Sequence, residues 1–313
     1  MSMMAWRVHA FGPPEAMRIE RVARPAPGAG EVLVKVHAAG VGPWDGWIRS
    51  GRSVLPQPLP LTLGSNLSGV IEAVGSDVTG LQIGNSVYGI TNPRFIGAYA
   101  EYAVASAAMI ARKPGSLGHI EAASVSVIAV TAWQGLFDEG RLTKGQTVLI
   151  HGGAGNVGVY AVQMARGAGL RCIATAGTAD VDHVHSLGAD TVIDFRTQHF
   201  EDVVRDVDVV LDLVGGETQQ RSFLVLRRGG RLISAVSQPG PELAERHGVE
   251  ARFFLVQVTT EHLMRVAAMI ARGELQTQVG LVLPLAEARD EHLMLEGQLP
   301  ATKGKIVLSV GGQ

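Results

Sequence analysis

The spacing of apolar residues changes character near residue 113. Before that point the apolar runs are short and often broken. Residues 32–36, 70–75, 86–90 and 98–104 each read as a strand. Proline and glycine separate them, as in Arg24-Pro25-Ala26-Pro27-Gly28 and Leu55-Pro56-Gln57-Pro58-Leu59-Pro60. Short strands with such breakers predict a compact β-barrel-like domain. After Lys113-Pro114-Gly115 a helix is predicted over 121–139. Strands at 147–151, 171–176, 191–194, 207–213 and 231–236 then alternate with helical segments such as 182–187. That alternation is the signature of a doubly wound parallel sheet. A strand at 251–256 and a helix at 261–272 extend it. The last residues change again, with strands at 281–284 and 305–310 around a short helix at 285–295, and are expected to rejoin the first domain.

The stretch from Thr147 to Arg166 organises the rest. An apolar β-branched run, Thr147-Val148-Leu149-Ile150, breaks at Gly152, Gly155 and Gly158 and resumes as a helical pattern. Strand, glycine turn and helix N-terminus together present backbone N–H groups to a diphosphate. The spacing is G-x-x-G-x-x-G rather than G-x-G-x-x-G. About 20 residues on lies the apolar run Cys172-Ile173-Ala174-Thr175-Ala176-Gly177, where a dinucleotide fold places its ribose-reading strand. Gly155, Asn156 and Val157 are the candidate diphosphate contacts.

Composition narrows the classes. With 313 residues, two domains are expected, and 46% hydrophobic residues suffice for sizeable cores. A net charge of −2 gives no electrostatic reason to bind nucleic acid or an anionic membrane. The single cysteine, Cys172, excludes a thiolate zinc cluster and suits a reducing compartment. No signal-like N-terminus and no apolar run of spanning length are expected, so a cytoplasmic protein is.

Further stretches resemble a known family in their order and spacing. They are Ala38-Ala39-Gly40-Val41-Gly42-Pro43-Trp44-Asp45 with Arg49-Ser50-Gly51, then Leu63-Gly64-Ser65-Asn66 and Gly97-Ala98-Tyr99-Ala100-Glu101-Tyr102. Thr131-Ala132-Trp133, Ser186-Leu187-Gly188-Ala189-Asp190, Gly215-Gly216 and Gly304-Lys305 follow. The chain resembles zinc-independent medium-chain dehydrogenases/reductases of the quinone oxidoreductase (zeta-crystallin-like) branch. The resemblance implies an α/β protein in which a Rossmann sheet, residues 114–272, is inserted into a GroES-like β-barrel domain formed by 1–113 and 273–313. It implies NADPH as cofactor, held between the two domains, and a homodimer.

Metal is not expected. Gly64-Ser65-Asn66 stands where zinc-dependent relatives carry Gly-His-Glu, and the ten histidines show no ligand spacing. Without a Lewis acid, the accessible chemistry is hydride delivery to an acceptor already electron-poor, a quinone or enone. No indispensable acid–base residue is expected. Trp44, Asp45 and Trp47 are the cleft candidates. The indoles read either as an aromatic wall for a flat substrate or as barrel core, and Asp45 either as a site carboxylate or as a turn cap. Gly42 replaces the asparagine usual in the family.

Expected cofactor contacts besides the glycine turn are Thr131, Thr175, Gly177, Thr178, Phe195, Arg196, Val214, Gly215, Ser234, Ala235, Val236, Phe254, Val256 and Lys305. Most fall at strand C-terminal ends, where open α/β sheets bind ligands. For Thr131 a helix threonine bonded to its own backbone, and for Phe254 and Val256 plain sheet core, remain open alternatives. Thr175-Ala176-Gly177-Thr178 carries no acid for a ribose 2′-OH, which favours NADPH, and Arg196 is the nearest cation. An NADPH-dependent quinone reductase is the leading reading. An enoyl or alkenal reductase is the alternative, and a non-catalytic NADPH sensor or RNA-binding protein the second.

Overall fold

The computed structural model describes residues 1–300 and 302–311. The chain forms two units, one of residues 1–127, 258–271 and 277–313, the other of 128–257 and 272–276. The first opens with β1 (Ser2–Val8), β2 (Met17–Ala23), β3 (Glu31–Gly40), α1 (Pro43–Arg49), β4 (Leu61–Thr62), β5 (Asn66–Val74), β6 (Ser86–Ile90), β7 (Tyr102–Ser106) and β8 (Ile110–Arg112). Strand β3 is its hub. One edge pairs with β5 along its whole length, while the other is shared, with β7 taking residues 31–35 and the C-terminal strand taking 38–40. Its alternating valines, Val32, Val34 and Val36, are buried with Trp6, Leu67, Ile71 and Tyr99 in one core. Removing such β-branched and aromatic surface from water drives the barrel together.

The second unit begins within α2 (His119–Trp133), which continues as a π-helical turn over Gln134–Glu139. It contains β9 (Thr147–His151), α3 (Gly158–Gly167), β10 (Arg171–Ala176), α4 (Val181–Ser186), β11 (Thr191–Asp194), α5 (Phe200–Val203), β12 (Val207–Asp212), α6 (Gly216–Ser222), β13 (Leu226–Ser234), α7 (Pro241–His247) and β14 (Glu250–Phe253). All six strands are parallel, in the order β11-β10-β9-β12-β13-β14. Strand β9 is buried nearly throughout, as its unbroken apolar run requires of a strand covered on both faces.

The chain then returns to the first unit through α8 (Thr260–Ala271), β15 (Val279–Pro284), α9 (Ala288–Leu295) and β16 (Lys305–Ser309). Strand β16 lies antiparallel to β3 and parallel to β15. Helix α8 was expected with the parallel sheet, yet it belongs with the barrel. Tyr88 donates to the Leu263 carbonyl, and Thr260 Oγ1 donates to the Ile110 carbonyl at 2.8 Å.

Helix α1 is entered through Pro43, with Gly42 at its N-cap. One more sequence expectation needs correction. The strand expected at 98–104 begins only at Tyr102. Residues 119–139 form a helix long and apolar enough on average to cross a membrane, though polar residues interrupt it, and 78% of its most apolar window is buried in the protein, as in a core helix.

Candidate functional site

In the parallel-sheet unit the strand order sets the residues expected at the cofactor side by side. Phe195 and Arg196 follow β11, Gly177 and Thr178 follow β10, Gly155–Val157 follow β9, Val214 and Gly215 follow β12, and Ala235 and Val236 follow β13. Strands about 4.8 Å apart make the six ends a row roughly 24 Å long. Asn156, Phe195, Arg196, Val214 and Val236 are exposed along it.

The turn at the centre depends on two glycines for different reasons. Gly152 has φ +76°, a conformation that side chains disfavour. A Cβ on Gly158 would lie 2.1 Å from the Gly152 carbonyl oxygen, so only glycine lets α3 start against the end of β9. The N–H groups of Val159, Tyr160 and Ala161 in the first turn of α3 already donate to the Gly155 and Val157 carbonyls, so what the helix start lends the row is the positive end of its dipole.

Several expected contacts brace the loops internally. Thr175 is buried, and its hydroxyl accepts from the Gly152 N–H at 3.2 Å while it pairs with His151 Nδ1. His151 Nε2 faces the Ser222 hydroxyl at 3.0 Å, and burial pushes its pKa down to about 4, so it is a neutral spacer under the turn. Ser234 is fully buried and donates to Asp212 Oδ2 at 2.9 Å. Asp212 was not singled out by sequence, yet it pins both neighbouring loops. Its Oδ1 accepts from the N–H groups of Val214 (3.0 Å) and Gly215 (2.8 Å), and its Oδ2 also accepts from Gln219 (2.8 Å). Phe254 is buried, near the position a Cβ on Gly135 would take, which fits the sheet-core alternative. Val256 is half-buried in the segment beyond β14, and Thr131 lies buried within α2.

At the end of β10 the backbone turns at Gly177 with no carboxylate on residues 175–178. The Arg196 guanidinium stands beside it, with Nε 3.4 Å from the position of a Gly177 Cβ, next to the Phe195 ring. Asp194 faces Thr178, whose hydroxyl holds its pKa below the usual carboxylate range. The lone thiol, Cys172, is buried and pushed up to about 12, too high for reactivity.

The barrel unit contains a second polar assembly around α1. Asp45 is fully buried and caps the helix, its Oδ2 accepting from the Gly42 N–H at 2.8 Å. The cap reading of Asp45 therefore holds. Tyr99 donates to the same oxygen at 3.1 Å and faces Glu291 Oε2 at 3.4 Å. A phenol has one proton to give, so the Glu291 side of this contact is satisfied when Glu291 is itself protonated. Burial, then the Asp45 charge, indeed pushes Glu291 well above its ordinary value. Burial raises Asp45 to about 7 against the opposing Gly42 bond. Arg49, also buried, donates to His292 Nδ1 at 3.1 Å and pairs with Glu296, which locks α1 to α9.

Lys305, expected as a cofactor contact, is enclosed within the barrel unit at 1% exposure. It has no hydrogen-bond partner among the described residues and lies 4.6 Å from the centre of the Trp44 ring. Trp44 is half-buried against the barrel core, with its indole N–H donating to Ser65 Oγ at 3.2 Å. Trp47, at 51% exposure, is not core at all. A Cβ on Gly42 would fall 2.2 Å from the Trp44 ring, so the indole occupies the space that a residue-42 side chain would need. Loss of the family asparagine and the presence of Trp44 are one packing solution.

Among the described residues no three His, Cys, Asp or Glu side chains are grouped to hold a metal ion. His183 and His185 are exposed on α4.

Comparison with known proteins agrees with this architecture. Residues 28–115 match the alcohol dehydrogenase GroES-like domain, and residues 187–308 match the model described as zinc-binding dehydrogenase. The quinone oxidoreductase of Sus scrofa is 32% identical over 98% of this chain and 97% of its own. The chain belongs to the quinone oxidoreductase (zeta-crystallin-like) family of medium-chain dehydrogenases/reductases. The structure of quinone oxidoreductase from Coxiella burnetii superimposes with a TM-score of 0.91 at 32% identity, covering 99% of this chain and 100% of that one. The Escherichia coli quinone oxidoreductase complexed with NADPH gives 0.87 at 27% identity, over 98% and 99%. The fold is thus a Rossmann sheet with a GroES-like domain, and the protein is an NAD(P)H-dependent oxidoreductase.

Proposed function

We propose that the protein is an NADPH-dependent, metal-free reductase that delivers a hydride to a quinone or another electron-poor conjugated carbonyl. The observation that carries the cofactor preference is the end of β10. It offers no carboxylate to a ribose 2′-OH and places Arg196 beside Gly177, a donor set suited to a 2′-phosphate. Gly152, Gly158 and the α3 N-terminus form the cradle suited to the diphosphate, and Val214, Gly215, Ala235 and Val236 continue the row toward the nicotinamide end. Reduced nicotinamide, when bound, supplies the hydride.

The charge around α1 supports a reaction without metal. Asp45 is spent as a helix cap, Glu291 holds a proton, and the Lys305 ammonium already supplies the local positive charge. A divalent ion there would meet a cation and no thiolate or imidazole pair. The protein's part is to bind, orient and exclude water, and the acceptor's own electron deficiency does the rest. The Sus scrofa and Coxiella burnetii relatives are named as quinone oxidoreductases, which supports the acceptor class. We also propose a homodimer in the cytoplasm, acting on a small molecule and not on nucleic acid or membrane.

The test is turnover with NADPH or NADH over a panel of benzoquinones, naphthoquinones and 2-alkenals. Consumption of NADPH with quinones fastest is expected. Faster 2-alkenal turnover assigns it as an alkenal reductase, and NADPH binding without turnover assigns it as a sensor. Arg196→Ala is expected to weaken NADPH binding about tenfold or more and to leave NADH unchanged. Equal loss for both cofactors would refute the 2′-phosphate role.

A further inference from the structure

Lys305 is an isolated ammonium buried among groups that it does not hydrogen-bond. Burying such a cation costs several kcal/mol unless something replaces its water. Its surroundings come from four chain segments. Asp45 and Arg49 belong to α1, Tyr99 to the segment before β7, Glu291 and His292 to α9, and Lys305 itself opens β16. Asp45 is the stronger opposing charge on the amine, and Glu291 adds a second carboxyl. Arg49 is turned to Gly12, His292 and Glu296, and burial, then the Arg49 charge, keeps the His292 imidazole neutral. What the amine does face closely is the Trp44 ring. A desolvated cation over an indole is among the stronger cation–π arrangements.

The indole is held on its other contacts too, by Ser65 at its N–H, by Phe95 edge-on with ring centres 6.2 Å apart, and by the bare Cα of Gly42. We infer that Lys305 is a positioning residue that acts through Trp44, its ammonium fixing the indole over Gly42 and so setting the shape that the Gly42–Trp47 segment offers to an acceptor. The residue does not touch the cofactor. Burial brings the amine down to about 8, with Asp45 and Glu291 opposing the fall, so the cation under the ring is lost within an accessible pH range. Only the kinetic consequence rests on the proposed function. The spectroscopic one stands without it.

The experiment compares the full-length protein with Lys305→Met, which keeps the side-chain length and removes the charge, and with Trp44→Phe. Tryptophan fluorescence is followed from pH 6 to pH 10, and NADPH binding is measured by calorimetry. The parent protein is expected to show a transition near pH 8 that both variants lack. Lys305→Met is expected to keep NADPH affinity within about twofold while raising the quinone KM about threefold or more, with a smaller change in kcat. A transition that survives in Trp44→Phe overturns the assignment, and this variant leaves Lys305 in place if Lys305→Met fails to fold. A tenfold loss of NADPH affinity in Lys305→Met would also overturn it, because the amine would then be a cofactor ligand. If the protein turns over no quinone, the proposed function falls, while the fluorescence and binding arms still decide the role of Lys305.

Discussion

Helix α3 begins and ends with glycine, and the two should respond to alanine in opposite directions. At Gly158 the added Cβ would sit 2.1 Å from the Gly152 oxygen and 2.8 Å from the Gly153 Cα. Both neighbours are backbone, so no side chain can swing away. Relief needs a movement of about 1 Å between helix and turn, and overpacking of this kind costs about 1–3 kcal/mol. Spread over a chain of this length, that lowers the melting temperature by roughly 2–4 °C. At Gly167 a Cβ would meet nothing within 4 Å. Alanine there removes unfolded-state freedom and is expected to add about 0.4–1 kcal/mol.

The helix shift in Gly158→Ala also moves the glycine turn and the start of α3 from the row of strand ends, so NADPH affinity should fall about tenfold or more. Gly167→Ala should bind as the parent does. Urea denaturation and calorimetric titration of the two variants side by side make the comparison. If Gly158→Ala matched the parent within 0.5 kcal/mol, or about half the usual cost, and bound NADPH normally, the close approach would be wrong.

Two further predictions concern the buried acids. Glu291 has its pKa raised in the folded protein, so the native state keeps a proton that the unfolded chain releases above its ordinary value of 4.5. Stability from this group therefore falls as pH rises from that value, by about 1.4 kcal/mol per pH unit while the native carboxyl stays neutral. Glu291→Gln should flatten the decline between pH 5 and pH 7 in urea melts, leaving the part due to Asp45, whose raised value near 7 gives the same sign. Parallel curves for variant and parent would show that Glu291 is ionised. Asp212→Asn places an amide N–H₂ against two of four donors, and should cost about 2–3 kcal/mol and weaken NADPH and NADH equally. A selective loss of one cofactor would show instead that Asp212 touches it.

Local pattern made the sheet legible. Strands β6, β9, β10 and β11 match the bounds expected from their apolar runs because each is short and bounded by turn residues, and the first three are largely buried. The strand ends followed from these, and with them the exposed positions Asn156, Phe195, Arg196 and Val214. What the sequence hid was set by contacts distant in the chain. Tyr99 meets Glu291 across 192 residues and Arg49 meets His292 across 243, with no periodic signal at either end. Lys305 in its Gly-Lys motif looks like any exposed cation until β16 is laid beside β3. Thr175 and Ser234, expected as cofactor contacts at strand ends, turn their hydroxyls to partners, His151 and Asp212, that no spacing rule couples to them.

The two units spend their polar groups differently, and the difference explains where specificity can lie. In the parallel sheet, buried side chains such as Asp212, Thr175 and Gln219 satisfy loop N–H groups and one another, so the loops are rigid before any ligand arrives. The surface they present is backbone and small side chains, which treats NADPH and NADH alike. Discrimination then falls to the few exposed side chains on the row, among which Arg196 brings a cation beside Gly177. In the barrel unit the charges are internal and set the pose of α1. Substitutions should therefore sort by burial. Exposed changes on the row alter which cofactor binds, and buried changes alter how well any ligand is held.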